Sequence, residues 1–98
     1  GGGEFTTRPF IFVGDGLELN YSTAALGSVK VEIQDDKGDP IPGFALDDCE
    51  EMFGDLIDGA VTWKNGGDTR KLEGKPVKLR FYLVDADLYA FKFNKSYV

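Results

Sequence analysis

The sequence predicts an all-β domain, a two-sheet antiparallel β-sandwich of jelly-roll or immunoglobulin-like type with seven to eight short strands. Apolar and polar residues alternate in short runs, as in Val29-Lys30-Val31-Glu32-Ile33, and a period of two is typical of strands with one buried face. Turn signals rich in glycine and aspartate separate these runs at intervals of about 10 residues. No long helical pattern lies between them.

The first half of the chain contains three clear predicted strands, and residues 40–44, which include two prolines, are interpreted as a short edge or irregular strand. The apolar run 9–13 begins with Pro9, which suits a first or edge position because proline has no N–H to donate. Residues 17–21 alternate in polarity and indicate a half-buried strand. Residues 29–33 give the clearest strand pattern. Residues 1–8, which open with three glycines, are interpreted as a linker and entry segment of a longer protein.

The second half contains one short helical candidate and a hairpin. Residues 46–53 are acidic and a glycine follows them, so a helix there is limited to about one turn. Residues 57–63 alternate and predict a further strand. Residues 77–84 and 88–93 are two more alternating runs, and the break at 85–87 is interpreted as the turn of a hairpin.

The expected core follows from these parities. Residues 9–94 form the predicted β-sandwich domain, and 95–98 form a C-terminal tail. Phe81 is expected to be buried and Tyr82 exposed, because a slip of one residue would reverse every face of the strand. The residues expected on inner faces are Leu17, Leu19, Tyr21, Val29, Val31, Ile33, Val61, Trp63, Leu79, Phe81, Leu83, Tyr89, Phe91 and Phe93.

Charge limits the classes of partner. The 98 residues include 17 acids and 11 bases, for a net charge of −6. Such a chain is a poor candidate for binding nucleic acid or an anionic membrane surface, and neither is expected as a partner. The bases concentrate after residue 58, so Lys78 and Arg80 are expected to pair across strands with acids such as Glu18 or Glu32.

The residue types argue against an enzyme. The chain has no histidine, which removes histidine-activated nucleophiles and the commonest metal ligand. Cys49 is the only cysteine, so no internal disulfide can form, and its acidic neighbours Asp48 and Glu50 disfavour a reactive thiolate. The domain is therefore expected to be non-catalytic and to need no cofactor. Calcium is the one ion left open as an alternative.

Calcium binding is one open alternative. Calcium takes six to eight oxygen ligands, and acids crowd the region between residues 47 and 58. Their spacing matches no calcium loop, so a solvated acidic loop is the other interpretation. The candidate calcium ligands are Asp47, Asp48, Asp55 and Asp58.

Sugar binding is a second open alternative. It needs exposed aromatic rings that offer a flat apolar face. Tyr82 lies on the polar, solvent-facing side of its predicted strand and is the better candidate. Trp63 is the other, although it shares a parity with Ile57 and Val61, which favours the core.

Six stretches carry a family resemblance: residues 31–33, 40–44, 54–55, 61–64, 72–81 and 85–93. They resemble the C-terminal β-sandwich module of bacterial glycosidase-like proteins whose five-bladed β-propeller is of the glycoside hydrolase family 32 and 43 type. The resemblance covers residues 15–93. It implies an ancillary domain, periplasmic or secreted, that packs against the upstream propeller and carries no active-site residue. A carbohydrate-binding module and a calcium-stabilised interaction module remain alternatives.

Overall fold

The computed structural model describes residues 2–97 and shows an all-β fold. Its strands are β1 (Gly3–Thr6), β2 (Gly16–Asp35), β3 (Asp55–Ala60) and β4 (Val77–Asn94), and two short 3-10 turns span Leu46–Asp48 and Arg70–Leu72. The strands form one antiparallel sheet in the order β1-β4-β2-β3. The all-β class is confirmed, but the described part of the chain holds one four-stranded sheet where the sequence predicts two sheets of seven to eight strands.

Two long strands explain this difference. β2 and β4 pair from Gly16 opposite Asn94 to Asp35 opposite Val77. The runs 17–21 and 29–33 are therefore parts of one strand. The predicted hairpin turn at 85–87 is wrong, because backbone pairing continues on both sides of it. The interruption is a large bulge instead, in which residues 24–27 stand opposite Asp85 alone.

The paired strands bend sharply at this bulge. Asp85 has a φ of 44°, in the left-handed region that few non-glycine residues adopt. The rings of Phe81 and Phe91 lie 5.5 Å apart, although a straight strand would separate these residues by about 33 Å. The β2–β4 ribbon therefore folds back on itself, and its two halves face each other across the core.

The core fills the space between the two halves. Phe81 is fully buried and Tyr82 is 40% exposed, so the predicted register of β4 is confirmed. The chain between the strands contributes further apolar residues that the alternating patterns did not reveal. The buried apolar side chains are Phe12, Leu17, Leu19, Tyr21, Val29, Val31, Ile33, Phe44, Cys49, Met52, Val61, Trp63, Leu72, Val77, Leu79, Phe81 and Ala86.

Four predicted core residues of β4 differ from expectation. Leu83 and Phe93 are partly buried against the core, and Phe91 remains 37% exposed. Tyr89 was predicted to be buried and is 64% exposed. The cause is a second bulge: Asn20 pairs with Ala90 and Tyr21 with Leu88, so Tyr89 has no residue opposite it.

The remaining predicted elements are short. The helical candidate 46–53 forms only the single 3-10 turn Leu46–Asp48, as its following glycine predicted. The apolar run 9–13 makes one isolated bridge, Phe10 opposite Val77, because it crosses from one half of the ribbon to the other. The predicted strand 57–63 is replaced by β3, which ends at Ala60.

Both chain ends contact the domain. β1 lies inside the segment predicted as a linker and entry, and its Phe5 stacks on Phe81 with ring centres 4.9 Å apart. At the other end, the Ser96 N–H and hydroxyl both donate to the Asp15 carboxylate. The Arg70 guanidinium lies 3.6 Å from the centre of the Tyr97 ring.

Candidate interaction surfaces

Trp63, one of the two candidate sugar ligands, lies in the core. It is 2% exposed, and its indole Nε1–H donates to the Val31 carbonyl oxygen at 3.0 Å. The Phe44 ring meets it edge-on at 5.1 Å. A sugar could not reach either face of the indole ring, so the expectation that Trp63 contacts a ligand is corrected.

Tyr82, the other candidate, is exposed on the outer face of β4. Its cross-strand neighbours are Glu4 of β1 and Lys30 of β2. Carbohydrate sites commonly combine several rings with converging polar groups. The structure does not bring Tyr82 and Trp63 together on one open surface.

The four candidate calcium ligands are divided between two elements. Asp47 and Asp48 lie in the first 3-10 turn, whereas Asp55 and Asp58 lie in β3. The Asp48 carboxylate accepts a hydrogen bond from the Ala45 N–H and lies 3.8 Å from the Lys64 ammonium. Asp55 accepts from the Thr23 N–H at 3.2 Å. Across residues 2–97 no three acidic or cysteine side chains gather as a metal-ligand set.

Cys49 is a buried thiol. Its Sγ accepts a hydrogen bond from the Val31 N–H and donates to the Glu50 carbonyl oxygen. Burial raises the pKa of the Cys49 thiol, and the neighbouring Glu50 carboxylate acts in the same direction. A buried, protonated thiol is a poor nucleophile, so this side chain serves packing.

A charged cluster joins three strands on the outer face. The Arg80 guanidinium donates to Glu4 at 3.0 Å and to Glu32 at 3.4 Å, which confirms the predicted pairing of Arg80 with Glu32. Glu32 is nearly fully buried and also accepts from the Leu46 N–H and the Gln34 amide. Burial raises its pKa, but these hydrogen bonds together lower the pKa of Glu32 below its usual value.

One exposed apolar surface lies around β3. Phe53, Leu56 and Ile57 are 61%, 48% and 80% exposed within five residues, and we call these three residues the β3 surface. In the described residues β3 is an edge strand that pairs with β2 alone. Asp55 and Asp58 flank the adjacent Leu56 and Ile57, and such charges protect an edge from unspecific pairing. Large apolar side chains exposed together mark contact surfaces.

A second apolar surface lies at the opposite edge of the same half of the ribbon. β1 covers β4 only as far as Leu83, and beyond it Phe5 and residues 88–91 line a shallow depression. We call this set the aromatic edge. Phe5 and Tyr89 are 46% and 64% exposed. The Phe91 ring contacts Phe81 in the core, so the aromatic edge is anchored to the core at this residue.

Sequence reasoning missed the aromatic edge because it assigned its rings to the core. One signal could have revealed it. The inner-face apolar residues Leu83, Leu88 and Phe91 are five and then three positions apart. Strict alternation requires even separations, so these odd spacings indicate two bulges, and the second of them turns Tyr89 outward.

A polar depression lies among the loops. It holds about 240 Å³ and is lined by Gly43, Phe44, Asn65, Gly66, Asp68 and Lys71. The Lys71 ammonium lies 5.3 Å from the centre of the Phe44 ring. The depression therefore combines an amide, a carboxylate and an ammonium beside one largely buried aromatic ring.

Comparisons with known proteins find no relative: no family model, curated protein or solved structure matches this chain. Among residues 2–97, no helix is long and apolar enough to cross a membrane. The fold defines the class of the chain as an all-β domain.

Proposed function

We propose that this chain is a non-catalytic ancillary domain of a larger, exported bacterial protein of the glycosidase-like class. In this proposal it packs against the catalytic part of that protein, an upstream β-propeller. The two-layer shape of the folded ribbon is compatible with the β-sandwich module that the sequence resembles. The observation that carries the proposal is the β3 surface.

The β3 surface supports a protein partner on energetic grounds. Covering an exposed leucine, isoleucine or phenylalanine side chain contributes about 1.5–3 kcal/mol. Phe53, Leu56 and Ile57 offer three such side chains in a short edge strand. The flanking Asp55 and Asp58 leave the rim polar, as in the contact surfaces of transient and inter-domain interfaces.

The described side chains also support a non-catalytic role. Cys49 is buried and protonated, and Glu32, the most buried carboxylate, is engaged by Arg80 and by two other donors. The Cys49 thiol and the Glu32 carboxylate therefore serve packing and hydrogen bonding within the fold. Catalysis by the parent protein is assigned in this proposal to its propeller.

The test is thermal unfolding of the full-length protein that carries Ile57→Asp. We expect its midpoint to fall by several degrees, because a charge would enter the interface, while the isolated domain keeps its own midpoint. Leu26→Ser is the matched control, since Leu26 is also exposed but lies in the large bulge. Equal midpoints for the Ile57→Asp and unchanged full-length proteins would contradict the proposal.

Carbohydrate binding is the second candidate function, and the polar depression favours it. Asn65, Asp68 and Lys71 could donate and accept hydrogen bonds to a single sugar unit. Calorimetric titration of the domain with fructans, arabinans, xylans and simple sugars tests this. Saturable binding tighter than about 1 mM that Asp68→Ala abolishes would establish it, and the absence of any heat of binding would remove it.

A further inference from the structure

We propose that two copies of this chain associate edge to edge through the last part of β4. The two strands would run antiparallel about a two-fold axis that passes between Tyr89 and Ala90. This inference goes beyond the ancillary role and uses the aromatic edge, which lies on the other side of β2 from β3.

The first argument is the open edge itself. β2 pairs with β4 along one side as far as Asn94, whereas the last partner that β1 offers on the other side is opposite Leu83. No further strand covers β4 from residue 86 onward in the described part of the chain. Unpaired backbone N–H and C=O groups on such an edge are a template for another strand.

The second argument is the order of inner-face residues along this edge. Leu88 lies opposite Tyr21 and Phe91 opposite Leu19, and both partners are buried in the core. Leu88 and Phe91 therefore share the inner face, although they are three positions apart. The bulge at Tyr89 makes this possible, and it places the two residues equally far from the proposed axis.

The third argument is charge. Asp87 lies opposite Ser22 and Lys92 opposite Glu18, so both project from the outer face. They too are equally far from the proposed axis. In an antiparallel pair, Asp87 of one copy would face Lys92 of the second copy, and symmetry repeats the contact. Leu88 would face the second copy's Phe91 on the inner side.

The side chains at this edge are placed to make these contacts. The Lys92 ammonium lies 3.7 Å from Glu18 and its side chain is 65% exposed, so it can reach a second carboxylate. The bulge turns the Tyr89 ring out toward the second copy. Exposed tyrosines that become covered at the centre of an interface commonly contribute much of the binding free energy.

The test is sedimentation equilibrium of the 98-residue chain up to about 1 mM, a range that reaches weak dimers. We expect a monomer–dimer equilibrium. Asp87→Lys and Lys92→Asp should each weaken it about tenfold, because each creates two like-charged contacts. The double variant Asp87→Lys/Lys92→Asp restores both contacts and should return the dissociation constant to about its original value.

Two further variants separate this inference from the proposed function. Phe53→Asp, on the β3 surface, should leave the dimer unchanged, whereas Tyr89→Ser should weaken it about tenfold or more. Since Tyr89 is exposed, its replacement leaves the folded monomer intact. A monomer at every concentration, or a double charge swap that fails to restore the dimer, would overturn the inference. Loss of the dimer in Phe53→Asp would overturn the assignment to this edge.

Discussion

At the scale of single residues, the alternation of buried and exposed side chains along β4 leads to a direct prediction about stability. Phe81→Ala should lower the free energy of unfolding by about 3–5 kcal/mol, because Phe81 is fully buried and contacts the rings of Phe5 and Phe91. The neighbouring Tyr82→Ala is the matched control and should cost less than about 1 kcal/mol. Urea unfolding of the two variants measures both values. Similar losses in the two variants would show that the register is wrong.

Glu32 gives a prediction about pH. Its folded-state pKa lies below the value of a free glutamate because Gln34, Leu46 and Arg80 donate to its carboxylate. It therefore contributes stability that is fully present above the ordinary pKa of glutamate and is lost as the pH falls through the lower, folded-state value. Stability measured by urea unfolding should decline on acidification through this range.

Glu32→Gln provides the control for this pH dependence. The amide cannot ionise, so the variant should lose about 1–3 kcal/mol at neutral pH and should show a flatter decline in acid. Hydrogen bonds from Ser96 lower the pKa of Asp15. Asp15 is present in both proteins, so its contribution to the pH dependence of stability is the same in each and drops out of the comparison. Parallel pH profiles for the two proteins would contradict a role for Glu32.

At the scale of elements, the bend in the β2–β4 ribbon depends on close backbone approach at Gly27. A Cβ at this position would overlap the carbonyl oxygens of Val84 and Asp85, whereas a Cβ at Gly16 of the same strand would meet no atom. Gly27→Ala should therefore cost about 1–3 kcal/mol, and Gly16→Ala should be nearly neutral. Thermal unfolding compares the pair, and equal midpoints would show that the bend tolerates a side chain.

The bend also shows how far the sequence could predict this fold. Alternation identified the inner face of β2, from Leu17 to Ile33, and the face of β4 as far as Phe81, because burial on one side of a strand leaves a period of two. The break at Asp85 predicts a hairpin turn because aspartate is common in turns, but pairing with β2 continues on both sides and makes it a bulge. Local residue types do not decide whether pairing resumes beyond the break.

The candidate sites were harder to predict for a related reason. The acids from Asp47 to Asp58 crowd together in sequence, but the 3-10 turn and β3 carry them to different elements. Trp63 has the ring that a sugar site needs, but its indole N–H is satisfied inside the core by Val31. The exposed ring of Tyr89 depends on a one-residue bulge, which pairing with β2 creates.

At the scale of the whole molecule, the four candidate calcium ligands lie in two different elements, and this leads to a prediction about calcium. The Asp48 and Asp55 carboxylates already accept backbone hydrogen bonds, and no metal-ligand set forms across residues 2–97. Millimolar calcium should therefore leave the melting midpoint of the domain unchanged within about 1 °C, with magnesium as the ionic-strength control. A midpoint that rises with calcium alone would favour a calcium-stabilised module.

The most direct measurement of the central claim, that this domain packs against its parent protein through the β3 surface, is amide hydrogen exchange. Residues 53–60 would be compared in the isolated domain and in the full-length protein. Burial in an interface reduces local opening, so exchange in this segment should slow at least about tenfold in the full-length protein, while residues 24–27 of the large bulge remain unchanged. Equal exchange rates for residues 53–60 in the two proteins would contradict the account.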